Sequence, residues 1–156
     1  MHRKTLSSVT LVLALSSSWG TRLAAESGAT PAEAKALLEK ASAYYKSVGR
    51  KQAFADFTAK RRMFSDRDLY VFCIDTNRMM VANGGFPGIV GTSADTIIDV
   101  NGKGLGKAAW EAVSDKGEGV VRYRWVDPIT HNLESKTTFL AKTGDDVCGV
   151  GAYDHR

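Results

Sequence analysis

Leu69-Tyr70-Val71-Phe72-Cys73-Ile74, followed by Asp75-Thr76-Asn77-Arg78 and then Met79-Met80-Val81-Ala82, is the stretch that decides the fold. The first six residues form a nearly continuous apolar run rich in β-branched and aromatic types, which predicts a buried strand. The polar quartet is a turn, and the second apolar run returns as its hairpin partner. Beyond it, Asn83-Gly84-Gly85-Phe86-Pro87-Gly88 opens a glycine-bearing connection that runs on to Gly91. Long connections in compact domains are commonly functional.

Upstream of this hairpin the period is helical. Thr30-Pro31-Ala32-Glu33 combines an N-cap, a proline at the first helical position and a glutamate three residues after the cap. Ala34, Leu37, Leu38, Ala41, Tyr44, Tyr45 and Val48 then mark one buried stripe. Gly49 breaks the pattern, and residues 50–62 read as a second helix with Ala53, Phe54 and Phe57 inward and Lys60-Arg61-Arg62 near its end. Downstream, 106–116 reads as a short helix, and 119–126, 134–142 and 146–153 as a three-stranded meander. Five strands with the helices segregated at the start and middle predict an α+β domain built on an antiparallel sheet.

The first 25 residues read differently. Met1-His2-Arg3-Lys4 is a basic start, Leu6 to Leu15 an apolar core, and Leu23-Ala24-Ala25 a small-residue end. That order predicts an export signal over 1–25, a single domain over 26–156 and a periplasmic destination, with a retained anchor as the other reading. Of the 21 Lys and Arg, Arg3, Lys4 and Arg22 fall in this leader, and none of the 17 acids do. The formal charge of +4 therefore drops to +1 without it, which removes the case for a nucleic-acid partner. Cys73 and Cys148 are the two cysteines. In an oxidising compartment they can pair, yet each also sits in an apolar run where cysteine is a common core residue.

Catalytic and cofactor motifs are missing. Gly102-Lys103-Gly104-Leu105-Gly106 fits no phosphate-binding frame, and Asp99-Val100-Asn101-Gly102 departs from a calcium loop at Lys103 and at Trp110. His131 and His155 lie in a turn and at the chain end, outside any triad or zinc spacing. No cofactor and no enzymatic activity are expected. Arg122-Tyr123-Arg124-Trp125, with Lys136 in the next strand, does stand out. Cations and aromatics together can hold a small carboxylate, the cation pairing with the anion while the rings exclude water. The other reading is a half-exposed strand with arginines in solvent and aromatics in the core, since alternation puts Arg124 and Tyr123 on opposite faces.

Taken in order, Phe54-Ala55-Asp56-Phe57, Asp66-Arg67-Asp68-Leu69-Tyr70-Val71-Phe72, Ile89-Val90-Gly91, Asp99-Val100-Asn101-Gly102-Lys103, Tyr123-Arg124-Trp125-Val126-Asp127-Pro128, Lys136-Thr137-Thr138-Phe139 and Gly149-Val150-Gly151-Ala152-Tyr153 resemble the single Cache family of extracytoplasmic sensor domains. The resemblance spans about residues 31–154. It implies a PAS-like five-stranded antiparallel sheet with a long N-terminal helix packed on one side, and a pocket between the sheet and the loop after the first hairpin. It makes the strands of Cys73 and Cys148 neighbours, where a cross-strand disulfide is one outcome and two free thiols the other. Carried over residue by residue, the ligand-binding set is Lys136, Arg124, Tyr123, Trp125, Tyr70 and Asn83. Asn83 stands where many members have a histidine, and Phe139 where a tyrosine is usual. The resemblance implies a small-molecule sensor, for a short carboxylate, working through a membrane receptor or histidine kinase. An accessory or scaffold module with a vestigial pocket is the alternative.

Overall fold

In the computed structural model, which describes residues 28–155, the chain enters helix α1 (Pro31–Val48) at Thr30. The export-signal reading of 1–25 lies outside the described residues. The capping box forms as read: the Thr30 hydroxyl accepts from the Glu33 amide at 3.2 Å, and the Glu33 carboxylate accepts from the Thr30 amide at 2.7 Å. Gly49, at φ +82°, joins α1 directly to α2 (Arg50–Thr58), a turn that a side chain with a Cβ would strain. The second helix stops short of residue 62. Lys60 enters the left-handed region at φ 53°, and Arg61 folds back to pair with Asp56 on the helix it has just left.

The remaining elements are β1 (Ser65–Asp66), β2 (Leu69–Ile74), β3 (Met80–Asn83), α3 (Leu105–Ala112), β4 (Glu118–Val126), β5 (Leu133–Thr143) and β6 (Asp146–Tyr153). Every pairing is antiparallel, in the order β1-β2-β6-β5-β4, with β3 on β2. The sheet thus has one strand more than the five expected. Arg67, at φ 53°, allows a tight return that pairs Ser65 with Tyr70 and Asp66 with Leu69. No Asn-Gly or Asp-Gly pair announces that turn in the sequence. Among the described residues no helix is long and apolar enough to cross a membrane.

Strand β2 is buried along its whole length because both of its faces are covered. Leu69, Val71 and Cys73 join the core under α1 and α2, with Leu38, Phe57 and Phe64. Tyr70, Phe72 and Ile74 face the other way, into a second core with Leu105, Ala109, Tyr123 and Leu140. The loop after β3 crosses this second face through two short 3-10 turns, Pro87–Ile89 and Ala94–Thr96. An unbroken apolar run is what a strand between two covered faces requires.

Cys73 lies directly opposite Cys148 in the β2–β6 ladder, and the two are disulfide-bonded across 75 residues of sequence. Closing a loop of that length removes chain entropy from the unfolded state worth about 4 kcal/mol. Urea unfolding with and without reductant is expected to differ by that amount, and the denatured, unreduced protein is expected to show no reactive thiol. Two reactive thiols before reduction would contradict the pairing.

Candidate functional site

Lys136 occupies a position where a charge is least welcome. Strand β5 carries it inward on the α3 side of the sheet, opposite Tyr123 of β4 and Tyr153 of β6, and its side chain is 1% exposed. Nζ donates to the Tyr153 hydroxyl at 3.2 Å and stands over the Tyr70 ring at 3.9 Å and the Tyr153 ring at 4.5 Å. Among the described residues no carboxylate comes within ion-pairing distance of it. Ring faces attract a cation but do not replace a counter-ion. Burial accordingly lowers the Lys136 pKa to about 7, against a smaller upward pull from the more distant Asp68 and Asp127.

The tyrosines around it are tied together. The Tyr153 hydroxyl donates to the Val126 carbonyl at 2.8 Å and lies 3.2 Å from the Tyr70 hydroxyl, while Thr138 and Tyr123 share a hydrogen bond at 3.3 Å. Burial pushes the phenols up, Tyr123 to about 12 and Tyr70 and Tyr153 well above the usual range. All three therefore stay neutral and can donate hydrogen bonds. Phe86 closes the top, its ring edge-on to Tyr70 at 5.8 Å and to Trp125 at 5.6 Å.

Of the residues singled out in the sequence, the structure brings Lys136, Tyr123 and Tyr70 together, with Trp125 beside Tyr70 and Phe86. Arg124 is not among them. It points to the opposite face, exposed, and its Nη2 donates to the Leu133 carbonyl at 3.1 Å. Asn83 also stands apart. Its side-chain oxygen accepts from the Gly85 amide at 3.0 Å and the Phe86 amide at 2.7 Å, so the carboxamide shapes the loop that carries Phe86. Gly85 lets that loop lie flat on the sheet, since a Cβ there would come within 2.5 Å of the Tyr70 ring. Phe139 packs toward the helices, on the other face from Lys136, so a tyrosine at this position would add no hydroxyl to the cluster. Asp99, in the stretch that departs from a calcium loop, accepts from the Asn101 and Lys103 amides at 2.8 Å and builds a turn.

Tyr153 joins the cluster although its motif in the sequence marks no role for it. A second group draws no role from the sequence, although two of its members, Asp68 and Asp127, lie in stretches that carry the family resemblance: Asp68, Asp127, Glu134 and His155 converge beside the tyrosines. Each lies two residues along the chain from Tyr70, Trp125, Lys136 and Tyr153 respectively, a spacing that returns a strand to the same face. A cleft of about 790 Å³ lies elsewhere, between α1 and the outer strands β4 and β5, and none of the Lys136 cluster lines it. A smaller one of about 430 Å³ does include Lys136, Tyr123 and Tyr153, with Pro31 and Arg122 also at its walls.

The chain thus has an α+β fold, an antiparallel sheet with a long N-terminal helix on one face and a lysine-centred aromatic cluster on the other. Single Cache domain 2 is the family whose model matches, over residues 21–153, and the chain belongs to it. No curated protein matches the sequence. Similar solved structures include a methyl-accepting chemotaxis protein from Vibrio parahaemolyticus, 20% identical with a TM-score of 0.63, covering 78% of this chain and 86% of that one. A periplasmic sensor domain of a chemotaxis protein is 24% identical, with a TM-score of 0.58 and coverage of 80% and 90%. A Cache chemosensory domain solved for its recognition of carboxylic acid is 20% identical, with a TM-score of 0.58 and coverage of 80% and 88%. At these identities the likeness establishes the fold.

The lowered pKa of Lys136 fixes the sign of a pH effect. Between pH 7 and 10.5, the ordinary lysine value, the unfolded chain holds a proton on Lys136 that the folded chain lacks. The penalty of burying Lys136 is thus full below pH 7 and disappears as the pH rises to 10.5. In urea unfolding, Lys136→Met is expected to gain most over the parent at about pH 6 and to lose that advantage by about pH 10. A gap that stays constant with pH would show that Lys136 titrates normally.

Proposed function

We propose that the chain is an extracytoplasmic sensing domain in which the Lys136 ammonium receives the carboxylate of a short organic acid. The observation that carries this reading is the buried lysine itself, ringed by tyrosines and short of a counter-ion. A carboxylate would supply the missing charge, accept from Nζ and from the neutral Tyr70 hydroxyl once that hydroxyl turns away from Tyr153, and lay its carbon chain against Phe86 and Trp125. One solved domain of the same fold recognises carboxylic acid, which agrees with that chemistry. Entry would need the Phe86 loop to lift from the sheet. The change in that loop is then the event a membrane receptor or histidine kinase would read by contact. The predicted export signal and the disulfide both suit a periplasmic location. No step of catalysis is assigned to these residues.

One observation favours a second reading. Lys136 is 1% exposed and its surroundings are filled by the protein's own rings. A cluster that never opens is a packed core, and the domain would then serve as an accessory or scaffold module.

A thermal-shift panel of acetate, propionate, lactate, pyruvate and amino acids separates the two. Sensing predicts stabilisation by at least one acid. Lys136→Ala abolishes it, because truncating a cation paired with a buried carboxylate typically costs about 2–5 kcal/mol, and Arg124→Ala leaves it intact. Because the acid needs the protonated lysine, its affinity is expected to fall about tenfold per pH unit above pH 7. If no acid stabilises the parent, or Lys136→Ala responds like the parent, the scaffold reading stands.

A further inference from the structure

Where the ends of β2, β4, β5 and β6 meet, two buried carboxylates and an imidazole point at one another. Asp68 Oδ2 lies 2.8 Å from His155 Nε2, Asp127 Oδ2 lies 3.6 Å from the same nitrogen, and all three atoms fall within 4.8 Å of each other. Asp68 and Asp127 are 1% and 0% exposed. Their other oxygens are occupied by backbone amides: Asp68 Oδ1 accepts from Ala29 at 2.9 Å, and Asp127 Oδ1 from Ile129 at 2.6 Å and Thr130 at 3.1 Å. Each carboxylate is therefore oriented by one oxygen and presents the other. For Asp127 the presented oxygen is buried without any hydrogen-bond partner. A buried anionic oxygen left unsatisfied costs stability unless something binds it.

We propose that Asp68 Oδ2, Asp127 Oδ2 and His155 Nε2 form a site for one divalent transition-metal ion, zinc being the best fit. Bonds of about 2.1 Å to oxygen and nitrogen separate neighbouring ligand atoms by about 3.0–3.4 Å for octahedral to tetrahedral angles, and the observed separations straddle that range. The histidine decides the metal class, since imidazole suits zinc and its neighbours whereas magnesium and calcium prefer oxygen alone. On the far side of the ring a carboxylate comes within ion-pair distance of Nδ1, although it is not in hydrogen-bond alignment with it. His155 Nδ1 is 3.1 Å from Glu134 Oε2, and Glu134 Oε1 is held by the Thr130 hydroxyl at 2.9 Å. A carboxylate behind a ligating histidine orients the ring and fixes which nitrogen faces the ion. Three protein ligands leave a coordination position open, and the His155 side chain, 30% exposed, gives the ion a way in. A bound ion would tie the end of the chain to the segment that leads into α1, through Asp68 and Ala29.

Zinc titration of the untagged, chelator-stripped protein tests this by calorimetry, with no organic acid present, so the result is independent of the carboxylate reading. One zinc per chain is expected. Asp127→Asn and His155→Gln should each weaken binding more than about a hundredfold, and Glu134→Gln about tenfold to a hundredfold, the range for partners that hold a metal ligand in place. Cobalt(II) added to the parent should show visible ligand-field absorption that zinc displaces, a readout that needs no variant to fold. The proposal is overturned if the parent takes up neither ion. It is equally overturned if Asp127→Asn and His155→Gln bind zinc as the parent does, or if magnesium or calcium binds as tightly as zinc.

Discussion

A lysine ammonium sealed among tyrosine rings, with no carboxylate of the described residues within ion-pairing distance, is the constraint around which this domain is organised. An isolated buried charge is expensive, and proteins relieve it by pairing or by proton loss. Here the pairing partner is absent from the chain's own described residues, and the lysine is shifted to about 7 instead. Such a group is poised: it gains most from a small anion that arrives with its own charge. The tyrosines hold it in that condition, because their phenols remain neutral and hold one another in place.

The sheet is what makes that burial possible. One face of β2 packs under α1 and α2, and the other lies under α3 and the Phe86 loop. Strands β4, β5 and β6 align Tyr123, Lys136 and Tyr153 in register across that second face. The Cys73–Cys148 bond fastens β2 to β6 on the opposite side, next to the helices, so that it stiffens the platform without entering the cluster. Asn83 and Gly85 then bring the loop down onto Tyr70, which completes the enclosure.

Much of this was legible in the residues. The capping box at Thr30, the apolar run of β2 and the alternation of β4 to β6 are local signals, and local signals survive folding when the tertiary contacts agree with them. Strand β1 was not legible, because its turn depends on a positive φ at Arg67 rather than on a glycine. Alternation already placed Arg124 and Tyr123 on opposite faces, and it was Lys136, not Arg124, that came inward. The enclosure by Phe86 depends on a loop whose path no periodicity encodes. The acidic cluster with His155 was written in the same two-residue spacing as the aromatic one, but it draws on four separate strand ends. Only the strand order, β2-β6-β5-β4, brings those ends to one place.

The most direct measurement is the titration of Lys136 itself, followed by NMR on protein labelled at the lysine side chains, with Lys136→Met for assignment. One lysine titrating near pH 7, and moving upward when a stabilising organic acid is added, is the result expected of a buried ammonium awaiting its anion. A Lys136 that titrates with the surface lysines, and does not respond to any acid, would contradict the central role given to it.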